Sequence, residues 1–268
     1  MLKTRILTAV IAGLILLAVL FVLPTLITRV VIACLMLVGA WEWSGFAGAK
    51  SSHRYVFVTL VAAMILPAFI WLQGIGDLKS IFQIALVWWV LAFVWIFFFP
   101  TPIAKAVVWL CGLLVIVPAF IALDWLYRLG VPTLLFMLAI VWVADIGAYF
   151  AGKAFGRVKL AVAISPGKTW EGVIGGLLGV TLLIGIESAL LDFPMLEILP
   201  LAYAVAVISV VGDLTVSMFK RNAGVKDSGA LFPGHGGLLD RADGILAAAP
   251  VFALGMIWLS PGLLGISI

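Results

Sequence analysis

Charge is scarce in this chain. Asp, Glu, Lys and Arg make up 10% of its 268 residues, where a soluble domain carries about 25%. With 65% of residues hydrophobic and a mean hydropathy of +1.31, a water-facing fold of this size is excluded, because too little polar surface remains to cover it. Lipid has to be the solvent for most of the molecule. Cysteine is scarce as well. Cys34 and Cys111 both stand in apolar runs, read as small buried hydrophobes, and offer neither a disulfide framework nor a zinc pattern. Two histidines with no His/Cys cluster give no basis for a transition-metal centre. No internal repeat of fixed period is present, so a repeat-built transporter finds no direct support.

What the chain does have is long apolar runs. A bilayer core takes roughly 20 apolar residues per helix. Nine spans are expected, at 6–23, 25–43, 55–73, 80–99, 104–122, 132–150, 172–191, 198–217 and 245–263. The first run lacks a small-residue cleavage site before Pro24, so it reads as a span and not as a removed signal. Pro24, Pro100, Pro102, Pro132 and Pro200 fall at or near ends, where a missing N–H costs least, while Pro67 and Pro118 sit inside runs and are expected to bend them.

Lys and Arg set the orientation. With the N-terminus cytoplasmic, 13 of the 16 basic residues fall on the cytoplasmic side, leaving Lys79 and Arg128 opposite and Arg29 within the second span. The outer connection between spans seven and eight is acidic, with Glu187, Asp192 and Glu197. The expected architecture is therefore an all-α, polytopic membrane protein of about nine helices, with its C-terminus on the outer face. It reads as one membrane domain, 1–268. Residues 1–131 form a helical scaffold, and 132–268 form a catalytic half with two polar cytoplasmic segments, 151–171 and 218–244.

The second polar segment carries most of the chemistry-bearing residues. Asp213, Ser217 and Lys220 recur at i, i+4 and i+7, which puts them on one helical face. A bland alternative pairs Asp213 with Lys220 or Arg221 as a structural ion pair at the membrane edge. Pro233-Gly234-His235-Gly236-Gly237 is too glycine-rich for a helix. It is either a turn with a solvated histidine or a backbone cradle for an anion, with His235 as hydrogen-bond donor or acid–base group. Asp240 and Asp243 stand in the first turn of the last span, where a single acid would suit a helix cap. A second acid, the intervening Arg241 and a partner at Asp213 go beyond capping, and suit a magnesium–nucleotide site.

The first polar segment contains Asp145, Lys153, Arg157 and then Ser165-Pro166-Gly167-Lys168-Thr169-Trp170-Glu171. Gly-Lys-Thr invites a phosphate-loop reading, but the glycine required five positions earlier is Val162. Ser165, Pro166 and Glu171 are instead expected to start the seventh helix, leaving Lys168 to meet an anion. Gly172, Gly175, Gly176 and Gly179 form small-xxx-small steps for close helix packing. Trp88, Trp89 and Trp95 read as packing or interface anchors.

The pattern Ser-x-x-Lys-Arg-x4-Lys-Asp-x-Gly-x2-Phe-Pro-x-His-Gly-Gly-x2-Asp-Arg-x-Asp, from Ser217 to Asp243, closely resembles the signature of phosphatidate cytidylyltransferases. The elements at 145–152 and 165–172 are similar to that family too, so the resemblance covers the C-terminal half in detail. It implies transfer of CMP from CTP to phosphatidic acid, giving CDP-diacylglycerol and pyrophosphate in phospholipid biosynthesis. It also implies a magnesium-dependent enzyme, with a second cation left open, working as a homodimer among membrane lipids and without nucleic acid. By position, Asp213 and Asp240 match the family's metal ligands, with Asp243 as a third candidate. Asp213, Asp240, Lys220 and His235 are the expected catalytic set. Asp145, Lys168, Ser217, Arg221, Lys226, Asp227, Gly236, Gly237 and Arg241 are the expected substrate-binding set. The short loops point to a bacterial inner membrane with the site on its cytoplasmic face. The alternatives are a cytidylyltransferase for another lipid phosphate and a transporter using Asp145 and Asp213 as an ion path.

Overall fold

The computed structural model describes residues 2–71, 75–191, 195–231 and 236–263. Within them the chain forms nine helices and one small hairpin: α1 Leu2–Phe21, α2 Thr25–Gly45, α3 Ser51–Trp71, α4 Ile75–Ile96, α5 Lys105–Leu129, α6 Val131–Phe155, β1 Lys159–Ala161, β2 Ser165–Thr169, α7 Trp170–Leu191, α8 Met195–Asn222 and α9 Leu239–Leu263. Eight of these helices, α2 to α9, are long and apolar enough among the described residues to cross a membrane. Each expected span coincides with a helix. Several helices outrun their apolar stretch, because a helix end can carry polar residues once it reaches the water layer. Thus α5 continues to Leu129 and α8 to Asn222, and the latter keeps Lys220 on the helical face of Asp213 and carries the helix beyond the expected end at 217. Helices α3 and α5 run on through Pro67 and Pro118, and α8 admits Pro200 as its sixth residue.

The outside of the bundle is apolar, as lipid requires. On α7, Trp170, Ile174, Leu178, Leu182, Ile186 and Leu190 are exposed at four-residue steps, forming one outward stripe. The opposite face is glycine. A Cβ on Gly176 would meet the Ala144 carbonyl at 2.8 Å, one on Gly147 would meet the Gly175 carbonyl at 2.6 Å, and one on Gly175 would collide with Ala151. Backbone therefore lies on backbone between α6 and α7, which is the close packing that the small-residue steps predicted. The most enclosed helices are α5 and α9, packed against α2, α3, α4 and α8. Trp89 is fully buried and Trp88 nearly so, while Trp95 packs edge-on against Phe219, so these tryptophans serve packing. Cys111 is buried, but Cys34 is exposed on the outer face of α2, against the expectation that both are interior. Lipid makes an exposed apolar thiol tolerable there.

Inside the bundle, Arg29 of α2 pairs with Asp124 of α5 at 2.6 Å, and Arg128 reaches the same carboxylate at 3.3 Å. Arg29 also donates to the Phe69 carbonyl at 2.8 Å and lies 4.1 Å from the centre of the Phe69 ring. This cluster joins α2, α3 and α5.

Two features bring the polar segments back to the bundle. Strands β1 and β2 pair antiparallel, with Lys159 opposite Thr169 and Ala161 opposite Ser165. Ile164, at the hairpin turn, is buried and its carbonyl accepts a bond from Arg221 at 3.3 Å. The segment expected as loop is thus partly sheet. The seventh helix is capped by Thr169, whose Oγ1 accepts the Gly172 N–H at 3.1 Å, so Ser165 and Pro166 belong to β2 and not to a helix start. At the end of α8, Val225 N–H bonds the Lys220 carbonyl and Gly224 N–H bonds the Arg221 carbonyl, each at 3.0 Å, with Gly224 at φ +71°. That closure turns the chain sharply back toward α9.

Candidate active site

Three elements meet where α8 leaves the apolar core. Gly212 makes the approach possible, because a Cβ there would meet the Asp243 carbonyl at 2.5 Å and the Ala247 side chain at 2.8 Å. A Cβ on Gly244 would lie 3.3 Å from the Ser209 side chain, a looser contact on the same seam. This glycine contact holds α8 and α9 together and brings Asp213 and Asp243 side by side. The β2 strand adds Lys168 from a third direction.

Lys168 Nζ lies 2.6 Å from Asp213 Oδ2, and Ser217 Oγ donates to Asp213 Oδ1 at 3.2 Å. Lys220 Nζ lies 2.6 Å from Asp240 Oδ1. The expected bland pairing of Asp213 with Lys220 or Arg221 is therefore replaced by two separate pairs. Lys220 crosses to α9, and Asp213 takes its cation from the hairpin. Asp213 and Asp243 are within electrostatic reach of each other and of both lysines, and Asp145 is within reach of Lys168 and Asp213.

The two pairs differ in access. Side-chain exposure is 24% for Lys168 and 34% for Asp213, against 10% for each of Lys220 and Asp240. The outer pair can meet a ligand directly, whereas the inner pair is built into the protein. Asp240 is also saturated with donors. Its Oδ2 accepts the Ser228 N–H at 2.8 Å and the Gly237 N–H at 2.9 Å, and the Ser228 hydroxyl oxygen stands 3.1 Å from it. Asp243 accepts the Gly244 N–H at 2.8 Å. Among the described residues no group of three or more His, Cys, Asp or Glu side chains converges as a ready-made metal cage. The donor set is hard carboxylate oxygen, which suits magnesium completed by phosphate oxygens and water.

Of the other expected residues, Gly236 takes φ +83°, and a Cβ there would collide with the Asp240 carboxylate. Gly237 lies against Ser228 and a carboxylate from α2. Arg221 stands exposed with its Nε on the hairpin turn. Lys226, Asp227 and Arg241 are exposed around the rim. His235 lies outside the described residues, as do Phe232, Pro233, Gly234 and Asp192.

One residue in this network was not anticipated. Glu42 of α2 is 6% exposed, yet it accepts the Leu238 N–H at 2.9 Å, the Leu239 N–H at 2.9 Å and the Ser228 hydroxyl at 2.7 Å. The segment read as scaffold thus contributes to the site. The signal was an acid inside an apolar span, between Trp41 and Trp43, which is costly unless it faces protein partners.

Comparison with known proteins agrees with this chemistry. A family model described as the cytidylyltransferase family matches residues 3–258. The chain is 41% identical over 267 residues to a phosphatidate cytidylyltransferase of Pseudomonas aeruginosa, a match covering 96% of this chain and 97% of that protein. It is 35% identical over 283 residues to one of Haemophilus influenzae, covering 94% and 98%. A phosphatidate cytidylyltransferase of Synechocystis sp. is 45% identical over 145 residues, about half of each chain.

Proposed function

The chain belongs to the cytidylyltransferase family, and we propose that it transfers CMP from CTP to phosphatidic acid, releasing pyrophosphate and forming CDP-diacylglycerol. The observation that carries the reading onto this chain's own residues is the meeting of two lysine–aspartate pairs and Asp243 at one end of the bundle, from β2, α8 and α9. In the reaction a phosphate oxygen of the lipid attacks the α-phosphorus of CTP. One P–O bond forms, and the bond to the β-phosphate bridging oxygen breaks. The attacking oxygen is already ionised near neutral pH, so no strong general base is required. The protein has to position two polyanions and neutralise them, which is how phosphoryl-type transfer is generally catalysed.

Lys168, half-buried and mounted on the hairpin, meets the incoming phosphates, and Ser217 orients Asp213 beside it. Lys220 is held by Asp240 at a fixed depth and presents its charge from beneath. Arg221, Lys226 and Arg241 at the rim draw the triphosphate in from water. At this centre the four carboxyl groups of Asp145, Asp213, Asp240 and Asp243 outnumber the two lysines, Lys168 and Lys220. That surplus of hard oxygen donors supports a magnesium requirement, because the ion would bridge them to the phosphates. When bound, magnesium would withdraw charge from the phosphates. Asp213 and Asp243 are the pair placed to hold it, and Asp240 joins them only by exchanging Lys220 for the ion.

The site lies at the membrane edge reached by the C-terminal end of α8 and the N-terminal end of α9. The basic-residue asymmetry supports placing this edge on the cytoplasmic side, and the family resemblance and the bacterial relatives support a homodimer in a bacterial inner membrane. The lipid then enters sideways from the inner leaflet, and CTP enters from the cytosol.

The test is incubation of purified protein in detergent micelles with magnesium, radiolabelled CTP and phosphatidic acid. Label passing into a chloroform-soluble lipid only when acceptor and magnesium are both present supports the reading. No transfer under conditions where a known enzyme works would overturn it. Transfer to a different lipid phosphate alone would move it to the other acceptor.

A further inference from the structure

We infer that Glu42 of α2 is a positioning residue for the transfer site, fixing the start of α9 and through it the Asp240–Lys220 pair. The inference starts from where its oxygens go. Oε1 accepts the Leu238 N–H, while Oε2 accepts the Leu239 N–H and the Ser228 hydroxyl. The first N–H groups of a helix have no partner within it. Here an acid from a helix distant in sequence supplies them with a negative charge at the positive end of the α9 dipole.

Ser228 links this acid to Asp240. Its hydroxyl has one proton and stands 2.7 Å from Glu42 but 3.1 Å from Asp240, so the proton goes to Glu42. Its main-chain N–H goes to Asp240 at 2.8 Å. Asp240 in turn holds Lys220 at 2.6 Å. The path Glu42–Ser228–Asp240–Lys220 thus runs through direct contacts. The loop is shaped to fit: a Cβ on Gly229 would meet Glu42 Oε1 at 2.6 Å, and one on Gly237 would collide with both Glu42 oxygens and Ser228.

Glu42 is itself held in place. The neighbouring Trp43 is fully buried, donates to the Val108 carbonyl at 2.7 Å and packs against Phe219 of α8 at 5.0 Å. Rotation of α2 is therefore tied to the helix that carries Lys220. The N-terminal half does more than scaffold the site, because it sets the geometry at which the inner lysine is presented.

The full chain in micelles, with the variants E42Q, S228A and S228T, provides the test. Gln keeps one acceptor but turns an N–H₂ toward Leu239 N–H and Ser228. Hydrogen exchange at Leu238 and Leu239 in E42Q should rise by about tenfold, as a charge-assisted bond is lost. The kcat of folded E42Q should fall by about 100-fold with KM for CTP and lipid nearly unchanged, since a small misplacement of a reacting group acts on the chemical step. S228A should lose part of kcat, and S228T, which keeps the hydroxyl, should restore it. Unchanged exchange in E42Q overturns the inference. So does a kcat loss that disappears once activity is counted per folded molecule. If E42Q does not fold, equal losses in S228A and S228T overturn it. The kcat prediction rests on the cytidylyl-transfer reading and the exchange prediction does not. An inactive wild type would therefore sink that reading and leave exchange to decide the role of Glu42.

Discussion

Lys220 and Asp240 make an ion pair that is almost out of contact with solvent, and removing one member should behave differently from removing both. In Asp240→Asn the ammonium of Lys220, 2.6 Å from Oδ1, loses its counter-charge, while the Ser228 and Gly237 N–H groups on Oδ2 keep an acceptor only if the amide turns its oxygen toward them. In that orientation the amide N–H₂ faces Lys220, donor against donor. Leaving one charge of a buried pair uncompensated costs about 3–5 kcal/mol. The neighbouring Asp213 charge is within reach of Lys220, which places the expected loss near the lower end of that range. Replacing both members by apolar or neutral groups is commonly neutral. The double variant Lys220→Met with Asp240→Asn should therefore regain most of the stability lost in Asp240→Asn.

Turnover should not follow stability. Both variants lack the inner cation in its working position, so both should be inactive. Unfolding in mixed micelles against increasing denaturing detergent gives the first quantity, and lipid-phase radiolabel from CTP gives the second. A double variant as unstable as the single would show that Lys220 does not depend on Asp240. A double variant that turns over would show that the inner charge is dispensable.

Asp213→Asn should insert and fold but lose turnover, measured in the same label-transfer assay, because the outer lysine and any metal both lose their anchor. Chelation of divalent ions should abolish transfer and weaken CTP binding in equilibrium dialysis, and magnesium should restore both. Gly176→Leu should loosen α6 from α7, since a Cβ already lies 2.8 Å from the Ala144 carbonyl. The expected penalty is about 1–3 kcal/mol in detergent unfolding. Asp124→Asn should destabilise by about 3–5 kcal/mol without altering KM for CTP in what folds, because Arg29 and Arg128 are left without their carboxylate.

The spans were legible because the period of apolar residues and the scarcity of charge are one-dimensional signals. Helix ends were less so. The run of apolar residues stops before the hydrogen-bonded helix does, so α8 ends at Asn222 and not at the expected 217. The β1–β2 hairpin had no usable signal: strands of three and five residues containing Pro166 and Gly167 show too little alternation. The cap of α7 was misplaced because Ser165-Pro166 and Thr169 both fit a helix start locally, and only the strand pairing of 165–169 decides for Thr169. Apart from Glu42, the charged residues that meet at this end of the bundle were legible, but their wiring was not. Asp213 and Lys220 share a face but are separated by about 10 Å along the helix axis. Each therefore finds a partner elsewhere in the fold, Lys168 for one and Asp240 for the other.

The acids of the site divide into two kinds. Glu42 and Asp240 are saturated by N–H and O–H donors from residues 228 and 237–239. Among the described residues, Asp213 accepts from Ser217 and Asp243 from Gly244, and Asp213 faces Lys168 with a third of its surface open. Gly236 and Gly237 are shaped by the first kind, since a Cβ on either would strike Asp240 or Glu42. A glycine-rich stretch near a nucleotide site invites the reading that its N–H groups cradle phosphate. The N–H groups of Gly237, Leu238 and Leu239 are instead committed to the protein's own carboxylates, one from α9 and one from α2. Those three N–H groups are thereby not offered to a phosphate. The glycines serve to fold an anion clamp around Asp240, and the dense spacing of the 217–243 pattern follows from the requirement that loop, lysine and both acids fit together at once.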